Sequence, residues 1–199
     1  MDRHVFSHSA CHSSLTIAST LLFDWQVCDN FLAVFRLMYR LLFWGRTNRP
    51  SAAVPGEQTL GSLYWMSNFY AAPIIYHGRR YPSSEHLFQA LKFSGTDDAW
   101  GEEIRKAPTT TVAKRMGNSR EHTRRADWDN ERVQTMEDVV TLKFEQHPSL
   151  RLKLMDTGRA ELMEDARSDR FWGAGTPGKP GENHLGKVLE RVRAHYTGH

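Results

Sequence analysis

The chain has 199 residues, of which 40% are hydrophobic and 25% charged, the proportions of an ordinary globular protein with room for one sizeable core and an extension. Its net charge of +3 fits phosphorylated or nucleic-acid substrates without demanding either. The only cysteines, Cys11 and Cys28, precede residue 50, so the rest of the chain has no disulfide framework, cysteine zinc site or cysteine nucleophile. A reducing, cytoplasmic setting follows most simply.

Residues 1–58 read as an N-terminal extension and 59–199 as the folded domain. Leu21 to Trp44 is apolar but is interrupted by Asp24, Gln26, Asp29, Asn30, Arg36 and Arg40, too many polar groups for a membrane span. Phe31 to Trp44 with Arg36 and Arg40 predicts an amphipathic basic helix, which leaves a docking helix, an organelle-targeting segment or a non-native leader open. Pro50, Ser51, Pro55 and Gly56 read as linker.

The domain opens with β-prone Leu63-Tyr64-Trp65-Met66, then Asn68-Phe69. Pro73 to Tyr76 and Arg79 to Tyr81 flank His77-Gly78 and predict a hairpin. Pro82-Ser83-Ser84 then caps a helix in which Glu85, Phe88, Gln89 and Lys92 share one side. Short helices follow from Trp100 to Lys106 and from Thr109 or Thr110 to Gly117. After Asp127-Trp128-Asp129, the stripe Val133, Met136, Val140 and Phe144 marks the longest helix, ending before His147-Pro148. Ser149 is expected to cap the next helix, which stops at Gly158, and Ala160 to Met163 reads as a strand. A Gly/Pro-rich loop, Gly173 to Gly181, leads to a last helix with Leu185, Val188, Leu189 and Val192. The fold class is α+β, a mainly helical single domain with a small β-sheet.

The histidines make no metal-binding pair, and Gly173, Gly175, Gly178 and Gly181 match neither a Walker loop nor a dinucleotide fingerprint. No metal or cofactor is expected. What remains is carboxylates beside tryptophans: Glu85 at a helix start, Asp127 and Asp129 around Trp128, and Asp169 before Phe171-Trp172. Two acids beside a flat aromatic surface suit cleavage of a glycosidic bond, one serving water or the leaving group and the other stabilising oxocarbenium charge. The plainer alternative makes the tryptophans core and the acids helix caps.

Several blocks stand together in order. They are Ser67-Asn68-Phe69, Tyr81 to Phe93 with Ser84-Glu85-His86-Leu87-Phe88-Gln89-Ala90, Asp127-Trp128, Lys143-Phe144, Thr157-Gly158, Asp169 to Gly175 and Gly181 to Gly186. In this the chain resembles the NADAR family of YbiA-like N-glycosidases over about residues 62–195. The resemblance implies hydrolysis of the bond between a base and a ribose, without metal or redox cofactor. It implies early riboflavin intermediates as substrates in some branches, and ADP-ribosylated guanine in nucleic acid or NAD-like compounds in others. A non-catalytic module binding ADP-ribose or nucleotides is the reading from another class.

Carried over by position, Glu85 and Asp169 are the expected catalytic acids and Trp128 the stacking surface for the base. Glu85 would activate water or stabilise the ribosyl cation, with Asp169 assisting the leaving base or orienting ribose hydroxyls. Lys92, Asn68, Phe69, Trp172, Gly173, Asn183 and Gly186 complete the expected binding set. Lys92, Lys114, Arg115 or Lys187 could meet a phosphate. Asn183 and Gly186 could hold an anion at the last helix start, or be a cap and a close-packing position. The chain departs from the family pattern at Tyr64-Trp65-Met66, where many relatives carry a glycine and an acid, and at Pro177 and Pro180, which stiffen the loop. The expected partner is a small phosphoribosyl molecule, with nucleic acid under the alternative.

Overall fold

The computed structural model describes residues 40–43 and 63–198, all of them within the unit Arg36–His199. Strand β1 (Arg40–Phe43) is followed by a 3-10 turn (Tyr64–Met66), the hairpin β2 (Ile74–Tyr76) and β3 (Arg79–Tyr81), and helices α1 (Ser84–Leu91), α2 (Asp98–Arg105), α3 (Thr110–Gly117), α4 (Trp128–Gln146) and α5 (Pro148–Asp156). Then come β4 (Glu161–Glu164), the short pair β5 (Gly175–Thr176) and β6 (Lys179–Pro180), and α6 (His184–Thr197). The class is α+β and mainly helical. The strands form three two-stranded sheets, β1 parallel to β4 and the other two antiparallel.

Helix α1 is the hub. It packs against α2, α3 and α4, and every side chain from Ser84 to Ala90 is buried. Ser83 caps it, its Oγ accepting from the His86 N–H. His86 is itself enclosed, its Nδ1 2.8 Å from Ser83 Oγ and its Nε2 3.1 Å from the Ala107 carbonyl. Burial lowers its pKa, so the neutral ring donates to Ala107 and accepts from Ser83. The longest helix, α4, buries Met136, Val139, Val140 and Phe144, and α6 covers β4 with Leu185, Val188, Leu189 and Val192. Each such side chain stabilises the fold by about 1.5–3 kcal/mol.

Three local expectations change. Tyr64-Trp65-Met66 forms a 3-10 turn instead of a strand, because Lys143 draws three successive carbonyls to one point. Its buried Nζ donates to Trp65 O at 2.7 Å, Met66 O at 3.3 Å and Ser67 O at 2.9 Å, which an extended chain could not offer. Ser149 does not cap α5; Pro148 occupies its first turn and His147 precedes it, as suits a residue without an N–H. Arg40–Phe43 is a strand paired in register with Glu161–Glu164, not part of a helix. The rest of the helix expected over 31–44, and the linker at 47–56, lie outside the described residues. Among those described, no helix is long and apolar enough to cross a membrane.

Candidate functional site

The site grows from the N-terminal turn of α1. The Glu85 N–H donates to the Asn68 carbonyl at 3.1 Å, which ties the helix start to the turn that Lys143 holds. The Glu85 side chain is only 5% exposed. One oxygen, Oε1, accepts from Gln89 Nε2 at 2.8 Å, the one-turn spacing that the sequence offered. Burial pushes the Glu85 carboxyl above its ordinary value. The Gln89 hydrogen bond, Lys114 and Lys92 pull it back, and Asp169 adds to the rise.

Gln89 is held in turn by α3. A Cβ on Gly117 would run into the Gln89 side chain, so only glycine lets α3 close this tightly. Lys92, one turn beyond Gln89, is buried and donates from Nζ to Gly117 O at 3.2 Å and Asn118 Oδ1 at 3.1 Å. Burial lowers its pKa to about 8, against the pull of Glu85. Its Nζ lies 5.7 Å from the Trp128 ring centre and 5.9 Å from that of Phe88.

Asp169 arrives from the loop after β4. Its Oδ1 accepts from the Trp172 N–H at 3.2 Å, and its Oδ2 lies 3.5 Å from Lys114 Nζ, with 30% of the side chain exposed. Lys114 also stands 5.9 Å from the Phe69 ring centre. Glu85, Asp169, Lys92, Lys114 and Phe69 therefore surround one locus. Arg115 and Lys187 are exposed.

A further carboxylate joins them. Glu164 is buried at the end of β4, and its Oε2 has no protein hydrogen-bond donor. Burial raises its pKa well above the ordinary glutamate value; Lys114 opposes, while Asp165, Asp169 and Glu85 reinforce. The strand read as Ala160 to Met163 stopped one residue short of it. The signal was period two: Leu162 and Glu164 share the buried face.

Gly173, Asn183 and Gly186 shape the frame that carries Asp169. The Asn183 side chain bridges β4, donating to Leu162 O at 2.8 Å and accepting from the Glu164 N–H at 3.0 Å. A Cβ on Gly186 would meet Leu162 O, and one on Gly173 would meet Ala166 O. These contacts pack the start of α6 closely against β4, and Asn183 makes no side-chain cap hydrogen bond to the helix. Asn68 is buried, with Nδ2 3.0 Å from Met136 Sδ and Oδ1 without a protein donor.

Trp128 is 4% exposed. Its ring lies 5.0 Å from Phe88, whose other neighbour is Trp172 at 5.5 Å. The open aromatic area beside the acids thus belongs to half-buried Phe69 and Trp172, with Phe88 and Trp128 beneath. Among the described residues no group of three or more His, Cys, Asp or Glu side chains is placed to hold a metal ion.

Comparison with known proteins places the chain in a family. Residues 43–196 match the family model described as NADAR domain. N-glycosidase YbiA of Escherichia coli (strain K12) is 43% identical over 127 residues, covering 64% of this chain and 78% of that protein. A riboflavin biosynthesis protein of Vibrio vulnificus (strain YJ016) is 37% identical over 135 residues, covering 68% of this chain and 36% of that protein. The NMR structure of E. coli YbiA superposes with a TM-score of 0.62 at 34% identity, covering 79% of this chain and 85% of that one.

Proposed function

The chain belongs to the NADAR domain family and is a glycosidase-type hydrolase, and on that premise we propose that it hydrolyses the N-glycosidic bond between a heterocyclic base and a ribose phosphate. Early riboflavin intermediates are the favoured substrates, in keeping with the riboflavin biosynthesis protein among its relatives. The observation that carries the reading is the enclosure of Glu85 beside Asp169, two acids in different surroundings at one locus.

In this reading the base leaves with the electron pair of its bond to the ribose anomeric carbon, and positive charge spreads over that carbon and the ring oxygen. Glu85 takes a proton from water as the water oxygen bonds to the anomeric carbon. A carboxyl lifted above its ordinary value by burial is a stronger base than a solvated one, and so better matched to that task near neutral pH. Asp169, fixed by the Trp172 N–H and Lys114, faces the developing positive charge and orients the ribose hydroxyls. The proton that Glu85 took from water passes on to the departed base, which resets the carboxylate and gives free pyrimidine and ribose 5-phosphate. Phe69 and Trp172 offer the faces for the flat base, and Trp128 backs Trp172 through Phe88.

The test is release of ribose 5-phosphate or ADP-ribose from a panel containing a phosphoribosyl-pyrimidine, ADP-ribosylated guanine DNA and NAD, with wild type beside Glu85→Gln. Turnover of the pyrimidine that vanishes in the variant is expected. Turnover of the DNA or NAD instead moves the substrate to the ADP-ribose class. Binding of ADP-ribose with no turnover anywhere would make this a binding module.

A further inference from the structure

A second polar feature lies next to the acids and takes no part in the chemistry above. A cavity of about 370 Å³ is lined by Gly117, Asn118, Ser119, Arg120, His122 and Arg124. No carboxylate is among those six residues, and two of them are guanidinium groups. Among the described residues Arg124 pairs with Asp129, at 4.0 Å and largely solvated, so the positive charge is little neutralised.

The loop that carries these groups, between α3 and α4, has no helix or strand of its own and is nonetheless tied down at four points. The His122 ring stacks on Trp100 at 3.8 Å with the planes 3° apart, and its Nδ1 lies 2.7 Å from Asp97 Oδ2. Thr96 Oγ1 donates to Thr123 O at 2.9 Å, and the Arg125 N–H donates to Lys92 O at 2.9 Å. The wall includes Gly117 and Asn118, the two residues that Lys92 Nζ holds from inside. Lys92 feels both Arg124 and Glu85, which places this cavity one buried cation away from the acids. Another cavity, on the hairpin side of α1, is lined by charges of both signs, Arg79, Asp98 and Glu102, and selects no ligand charge.

We propose that the cavity between α3 and α4 is an anion subsite that takes the terminal phosphate of a ribosyl substrate, with Arg120 and Arg124 as its binding groups and Lys92 as the buried charge beneath. A phosphate offers acceptor oxygens to both guanidinium forks, and the stacked His122 fixes the loop before ligand arrives. This proposal rests on the N-glycosidase reading for its substrate class, but binding tests it independently of turnover.

The experiment titrates the full chain with ribose 5-phosphate, inorganic phosphate and ribose, following backbone amide NMR signals. Ribose 5-phosphate and phosphate should shift the Gly117, Asn118 and Arg124 amides, and ribose should not. Arg120→Ala and Arg124→Ala should each weaken ribose 5-phosphate binding about tenfold, the loss of one charge-assisted contact. Arg159→Ala, the loss of a charge on another surface, should leave binding unchanged. Unaltered melting temperatures verify that the exposed arginine variants fold. Binding that ignores both arginines, shifts confined to the start of α6 at Gly186 and Lys187, or no shift at millimolar ligand would overturn the subsite. Should ribose 5-phosphate seat here while no panel member turns over, the hydrolase reading falls and the subsite stands. Turnover of nucleotide and phosphate-free nucleoside at equal kcat/KM, with the amides unmoved, would sink the subsite and leave the hydrolase intact.

Discussion

Two buried charged regions adjoin the turn at residues 63–69, and they are built on opposite principles. Lys143 is 1% exposed and has three carbonyl partners for its three N–H bonds. Burial draws its pKa down to about 7 against the opposing pull of Glu164, but three acceptors call for three donors, which only the ammonium supplies. By contrast, Glu85 and Glu164 are buried with fewer partners than their oxygens can accept, and Asn68 Oδ1 and Gln89 Oε1 have no protein donor. A satisfied buried charge is a structural anchor. Under-satisfied carboxylates destabilise the fold, and their place beside Asp169 and Lys114 suggests that they serve the chemistry.

That contrast can be broken by mutation. The largest effect is expected from Lys143→Met, which strands three buried carbonyls and should cost about 3–5 kcal/mol, a fall of roughly 10 °C in Tm by calorimetry. A small change would mean that the turn at 64–66 holds without its lysine.

Glu164→Gln should act in the other direction. Its carboxyl is raised in the folded state, so the stability linked to it is full below the unfolded value near 4.5 and is lost as pH rises through the folded one. The variant should therefore gain about 1–2 kcal/mol over wild type at pH 8 and match it near pH 4, as read by urea unfolding. A loss at pH 8 would make Glu164 a paired, stabilising group.

The raised carboxyl of Glu85 also predicts an acid limb in kcat/KM. Activity should fall tenfold per pH unit as Glu85 takes up its proton, with the midpoint above the ordinary glutamate value of 4.5. A midpoint at or below 4.5 would show that the buried acid is not the base.

Gly117→Ala acts on the same carboxyl through α3. The new methyl meets the buried Gln89 side chain along its length, Cβ included, so the cost should be about 1–3 kcal/mol, with Gln89 pushed off Glu85 and kcat lowered more than KM is raised. An unchanged kcat would detach Gln89 from the function of Glu85.

Much of this was legible in the sequence where local chemistry decides. Ser83 and the spacing of Glu85, Phe88, Gln89 and Lys92 specify α1 and its charged face, and His77-Gly78 specifies the hairpin. Both residues of that turn take positive φ, 47° and 73°. Asp169 stood out by its place before Phe171-Trp172. What escaped depends on distant partners. Nothing between residues 63 and 66 reveals that a lysine nearly 80 positions later will curl them into a turn. Glu164 was hidden by a strand end drawn one residue early. The closeness of Gly117 to Gln89 is a property of two helices, not of either sequence. Trp128 looked like an open stacking face because burial by Phe88 cannot be read from an isolated Asp-Trp pair.

The most direct test of the contrast measures Tm and single-turnover release of ribose 5-phosphate on the same Glu85→Gln sample. The account predicts a Tm at or above that of wild type with release abolished, because the acid is retained for chemistry at a cost in stability. A Tm lowered as far as in Lys143→Met, with release preserved, would contradict it and make Glu85 another structural anchor.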